Sequence, residues 1–148
     1  MAAALTCALV LAFAAVSARA SVLKHCPSAS SLSSAAGTPL KLARQAKSGG
    51  QITCTYGPNG SPLAILTVET VSSSGQSPGA YLTKLEGSDK AEGYKVQPLH
   101  RLGSAAFEAT LKGSSTNVDV LVSGQIVHVG SLVVSPSHVV AIARAVVG

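Results

Sequence analysis

A chain of 148 residues, 47% hydrophobic and only 11% charged, is long enough to bury a core in one domain and too short for two. Its formal charge of +5 comes from scattered Lys and Arg, and it carries three Tyr, two Phe and no Trp. A single-strand nucleic-acid groove needs a basic track interleaved with stacking rings, so that class is excluded. The charge reads as solubility with a weak attraction to anionic envelope surfaces.

Residues 1–20 read as an export signal. Ala2–Ala18 carries no charged side chain, Ala8–Val16 is its strongest apolar stretch, and Ala18-Arg19-Ala20 supplies the small-residue cleavage pattern, with the cut before Ser21. No Lys or Arg precedes the apolar run, so an uncleaved anchor is the competing reading, at the lower end of the roughly 17–25 residues that span a bilayer. Only in that case is a membrane a partner. Neither Cys7, inside the apolar run, nor Cys26, behind Lys24-His25, stands in a lipidation context. Cleavage removes Cys7 and leaves Cys26 and Cys54, so the domain at residues 21–148 holds one disulfide and no spare thiol.

Along that domain, Pro27–Gly37 predicts a short helix with Leu32, Ala35 and Ala36 inward and Gly37 just past its end. Leu40-Lys41-Leu42 opens a strand reaching about Ala46, and Lys47–Gly50 is a turn. Gln51–Tyr56 alternates with Ile52, Cys54 and Tyr56 on one face and Thr53 and Thr55 on the other. Gly57–Pro62 is a dense turn signal containing the formal glycosylation sequon Asn59-Gly60-Ser61. Leu63–Val71 is the longest β-type run and belongs in the middle of a sheet. Ser77-Pro78 starts a second helix with the stripe Tyr81, Leu82 and Leu85, which Gly87 is expected to stop. Tyr94–Gln97, Ala105–Leu111, Asn117–Ser123 and Gln125–Val134 read as four more strands. Ser135-Pro136 then starts a third helix with Val139, Ile142, Ala143 and Val146 on one face. Short turns between strands indicate an antiparallel sheet of six to seven strands, its apolar face covered by three helices, in an α+β architecture with one disulfide.

The last hairpin allows a register. A two-residue turn at Ser123-Gly124 opposes Asp119 to His128 and Val120 to Val127, placing Val118, Val120, Val122, Val127 and Val129 on the core face and Asp119, Ser123 and His128 on the other. Those three are the residue types of a hydrolase triad. Flat on one sheet face they lack a strained turn to present the serine and an oxyanion hole, so the expectation is a solvated strand face with one cross-strand Asp–His pair and no catalytic residue. The four histidines, His25, His100, His128 and His138, show no ligand spacing, there is no C-x-x-C, and Gly57–Gly60 lacks the Lys of a phosphate loop. No metal or other cofactor is therefore expected. Cys54 alternates inward with Ile52 and Tyr56, so its bridge to Cys26 is structural and stabilises by roughly 3–4 kcal/mol.

Cys26 ahead of a small helix ending in Gly37, Cys54-Thr55-Tyr56, Leu102-Gly103-Ser104-Ala105-Ala106-Phe107, and the paired strands before the closing helix Val139–Val147 form a recognisable arrangement. It resembles small exported proteins of actinobacterial cell envelopes, whose domains look like the PsbP-like α+β sandwich. The resemblance spans nearly the whole of residues 21–148. It implies a fold, a disulfide and a non-enzymatic envelope role, and brings no catalytic residues. Members are often lipid-anchored, a feature for which this chain has no suitable cysteine. The expected function is an exported, non-catalytic binding or accessory module whose partner is a wall component, a small apolar ligand or a protein. The alternatives are a small secreted hydrolase, or an inhibitor acting through an exposed loop at Gly57–Pro62 or Val71–Gly79.

Overall fold

The computed structural model describes residues 23–58 and 65–148. The expected export signal, its cleavage site, the sequon and most of the Gly57–Pro62 turn lie outside the described residues. The elements run α1 (Ala29–Ala36), β1 (Leu40–Ser48), β2 (Gln51–Pro58), β3 (Leu66–Val71), α2 (Pro78–Ala91), β4 (Lys95–Pro98), β5 (Ala105–Leu111), β6 (Ser115–Val122), β7 (Gln125–Ser131) and α3 (Pro136–Val147). The strands form one antiparallel sheet in the order β1-β2-β3-β7-β6-β5-β4. Each short turn keeps consecutive strands adjacent. The exception is the α2 crossover, which carries the chain from β3 to the far edge, from where β4 to β7 meander back to β3.

Turn and cap chemistry sets the element ends. The Ser28 hydroxyl accepts from Ser31 N at 3.3 Å and Gly37 takes the left-handed conformation (φ 66°), which bounds α1 as the Ser and Gly positions predict. The Ser77 hydroxyl accepts from Ala80 N at 3.3 Å, ahead of Pro78. Gly87 does not stop α2. The helix runs on to Ala91, and the left-handed turn falls at Gly93 (φ 89°). A helical glycine costs only about 1 kcal/mol, which the docking of Leu82 and Leu85 outweighs, so Ser88–Ala91 is helix rather than loop.

The helices occupy both faces of the sheet, and this corrects the expectation that all three cover one. On the first face, Leu32 and Ala36 of α1 and Val139, Ile142 and Ala143 of α3 pack on the alternating Ile52, Cys54, Tyr56, Val68, Val118 and Val120. On the second, Leu82 of α2 packs on Phe107, Ala109 and Ile126. The reason is visible in β5 and β7. Phe107, Ala109 and Ile126 are apolar at positions that alternate away from the first core, and leaving them in water would cost roughly 25 cal/mol per Å². The two edge strands are exposed almost throughout, β1 carrying Lys41, Arg44 and Lys47 and β4 carrying Lys95.

Cys26 and Cys54 form the expected disulfide, 28 residues apart in sequence with Cα atoms 5.6 Å apart, and Cys54 is fully buried. Beside it the Tyr56 hydroxyl donates to Pro27 O at 2.7 Å, and burial pushes that phenol up to about 12. Bridge and hydrogen bond together pin residues 26–27 to the middle of β2, which places the approach to α1 across the end of the first core. No helix among the described residues is long and apolar enough to cross a membrane.

Candidate functional site

The β6–β7 hairpin has the register that a Ser123-Gly124 turn dictates. Val122 pairs with Gln125, Val120 with Val127 and Asp119 with His128. Ser123 and Gly124 both have positive φ (50° and 75°), the requirement of a tight two-residue hairpin turn. Val118, Val120, Val122, Val127 and Val129 all join the first core, as the pattern predicts.

Asp119 and His128 meet across the strands, His128 Nδ1 lying 2.9 Å from Asp119 Oδ1. Their face is not a solvated one. Asp119 is only 3% exposed, because α2 lies over this part of the sheet. Two further carboxylates act on the pair: Glu69, directly opposite His128 across β3 and β7, and Asp89 of α2. Burial works against a charged imidazole. The hydrogen bond and charge of Asp119, aided by Glu69 and Asp89, outweigh it and hold His128 above the usual imidazole range. Asp89 is lifted above the usual carboxylate range by burial, then by the charges of Asp119 and Glu92, with His128 pulling the other way. One imidazole thus serves three carboxylates at the seam between sheet and helix.

Ser123 does not join them. It lies in the turn, four residues along β6 from Asp119, a span of about 13 Å in extended chain. The Nε2 edge of the ring lies over Gly130, where a Cβ would come within 2.8 Å of Nε2 and 3.1 Å of Asn117 Oδ1. A side chain at this position would push the imidazole from its seat. An isolated glycine inside a strand often marks such a close approach, and Gly130 is the signal that could have marked His128 as packed where the sequence reading expected a solvated strand face. Next to the ring is an open cleft of about 290 Å³, lined by Thr67, Glu69, Asn117, His128, Gly130 and Leu132. Sequence reasoning missed Glu69, Asp89 and Asn117, which the topology alone brings to His128.

A second cleft, of about 400 Å³, lies between α2 and the β4–β5 connection, with Leu82, Leu99 and Phe107 beside Glu86, His100 and Arg101. Among the described residues no group of three or more His, Cys, Asp or Glu is placed to hold a metal ion. No known protein family, curated protein or solved structure matches this chain. Chemically, the Asp119–His128 pair can orient an imidazole and hold a proton on it. A triad would also need a hydroxyl at hydrogen-bond reach of Nε2 and an oxyanion hole, and the serine that sequence offered for that role is in the turn.

Proposed function

We propose that the chain is an exported, non-catalytic binding or accessory module of the cell envelope. The observation that carries this reading is the use made of Asp119 and His128. The one Asp–His pair that could power hydrolysis is built into the seam under α2, with Glu69 and Asp89 around it and Ser123 in the hairpin turn. A buried Cys26–Cys54 bridge supports an oxidising compartment, since such bonds persist outside the cytosol. The hydrolase alternative has one observation in its favour, the open cleft at the Nε2 edge of His128. Incubation of the purified protein with ester, amide, glycoside and phosphoester substrates separates the two. The binding reading expects no turnover above background; turnover that disappears in His128→Gln would overturn it.

A further inference from the structure

All six acidic residues fall between Glu69 and Asp119, and the fold gathers them. Glu86, Asp89 and Glu92 belong to α2 and its cap, Glu69 and Asp119 to the sheet beneath it, and Glu108 to β5. The stretch 23–58, which builds α1, β1 and β2, has none. It carries Lys24, Lys41, Arg44 and Lys47, while α3 adds Arg144. The side of the molecule that this stretch builds is therefore net basic, with Glu69 of β3 beside it at Thr53 Oγ1 (3.2 Å), and its field favours anions.

On that side, at the end of the sheet away from α3's first turn, is an open cleft of about 450 Å³. Its size falls within the roughly 300–1,000 Å³ of small-molecule sites. Buried Ile52 and half-buried Leu23 form its apolar floor, exposed Lys24 and Lys47 line its rim, and the Gly49-Gly50 turn leaves one wall without side chains. Gln125, the first residue of β7, completes the lining. Its Oε1 is buried without a hydrogen-bond partner, the one such side-chain atom among the described residues. A buried acceptor left unpaired is costly, so a donor supplied from the cleft would stabilise this site.

We propose that this cleft binds a hydroxyl-bearing anion of the phosphorylated-polyol class, its phosphate at Lys24 and Lys47 and its hydroxyl donating to Gln125 Oε1 once that side chain turns from its buried position into the cleft. The two lysines select negative charge, and no lining residue is acidic. They also decide which donor satisfies Gln125. An ammonium would be repelled beside two cations, whereas a neutral hydroxyl is not. The inference deepens the binding-module reading and rests on it, by naming the class of ligand. The same phosphoglycerol chemistry occurs in soluble metabolites and in lipid headgroups, and the experiment separates these sources.

The full chain, isotope-labelled, is titrated at low ionic strength with glycerol 3-phosphate, inorganic phosphate and glycerol, following amide shifts. Glycerol 3-phosphate should bind in the millimolar range or tighter, about three- to tenfold better than phosphate, the worth of one neutral hydrogen bond, with glycerol weakest. Shifts should centre on Lys24, Lys47, Ile52 and Gln125, and weaken with salt. Lys47→Gln should weaken both anions, whereas Gln125→Met should lower glycerol 3-phosphate to the level of phosphate and leave phosphate unchanged. Sedimentation with phosphatidylglycerol or phosphatidylcholine vesicles then assigns the source. Capture by the anionic vesicles alone, lost in Gln125→Met, identifies a headgroup; binding of the soluble probe without vesicle capture identifies a free or polymer-borne phosphate. No shift with either anion, shifts away from this cleft, or an unchanged preference in a folded Gln125→Met would overturn the proposal. Such a failure removes the ligand class alone, because turnover of a substrate is what removes the binding-module reading.

Discussion

Replacing His128 by Leu tests the buried seam. The substitution removes the partner of Asp119, a carboxylate only 3% exposed and 2.9 Å from the ring. A buried charge stripped of its partner costs about 3–5 kcal/mol, whereas an exposed pair is worth less than about 1 kcal/mol. The loss should lower Tm by roughly 10–20 °C in a domain of this size. Adding Asp119→Asn to His128→Leu removes the stranded charge and should recover about 2 kcal/mol or more, a non-additivity that only contacting groups show. The pH dependence has a defined sign. His128 is raised in the folded state, so its contribution is full below the unfolded value near 6.5 and is lost as pH climbs through the folded value. Asp89 is also raised, so it too favours the fold more when protonated and less as pH climbs above its unfolded value. His128 therefore makes the protein more stable at mildly acidic pH than at pH 8, and Asp89 acts in the same direction at lower pH. Urea unfolding followed by circular dichroism from pH 5 to pH 8 should show that fall in the wild type and a flatter profile in His128→Leu. A cost below about 1 kcal/mol, or a wild-type profile flat across that range, would refute the account of a buried pair under α2.

Reduction of Cys26–Cys54 should cost about 3–4 kcal/mol and keep the far-ultraviolet spectrum, with thiol titration of the oxidised folded domain finding neither cysteine free. Gly103→Ala should destabilise by more than about 2 kcal/mol in thermal melts, because a Cβ there collides with Leu121 O and lies 2.7 Å from Val120 Cγ1, at a φ of +60°. Phe107→Ala should cost about 3–5 kcal/mol, as 2% exposed Phe107 anchors α2; hydrogen exchange should rise first in Pro78–Ala91. Gln125→Met should stabilise the unliganded protein by about 1 kcal/mol in the same melts, since it removes an unpaired buried acceptor.

Local signals carried much of the fold. Strict alternation at Ile52, Cys54 and Tyr56 put the disulfide inside, and the Ser123-Gly124 turn set the register that opposes Asp119 to His128. Ser-Pro pairs located the starts of α2 and α3, and Gly37 located the end of α1. What local pattern does not contain is the side of the sheet a helix chooses. That choice required noticing that Phe107, Ala109 and Ile126 alternate outward yet remain apolar, a property spread over two strands that are not neighbours in the sheet. Gly87 misled for a related reason, because tertiary docking of Leu82 overrides a weak propensity. The site was legible only as the Asp119–His128 pair. Glu69 and Asp89 come to it through the β3–β7 pairing and the α2 crossover, and the cleft at Gln125 joins the N-terminal stretch to β7 across 100 residues of chain.

The central claim is that this domain binds an anionic, hydroxylated ligand at Lys24, Lys47 and Gln125 and leaves it chemically unchanged. One titration tests it, following protein amides and ligand resonances together in a sample of full-length protein with glycerol 3-phosphate. The account predicts shifts at Lys24, Lys47, Ile52 and Gln125 with the ligand intact after a day. Release of inorganic phosphate, or shifts confined to the cleft around His128, would contradict it.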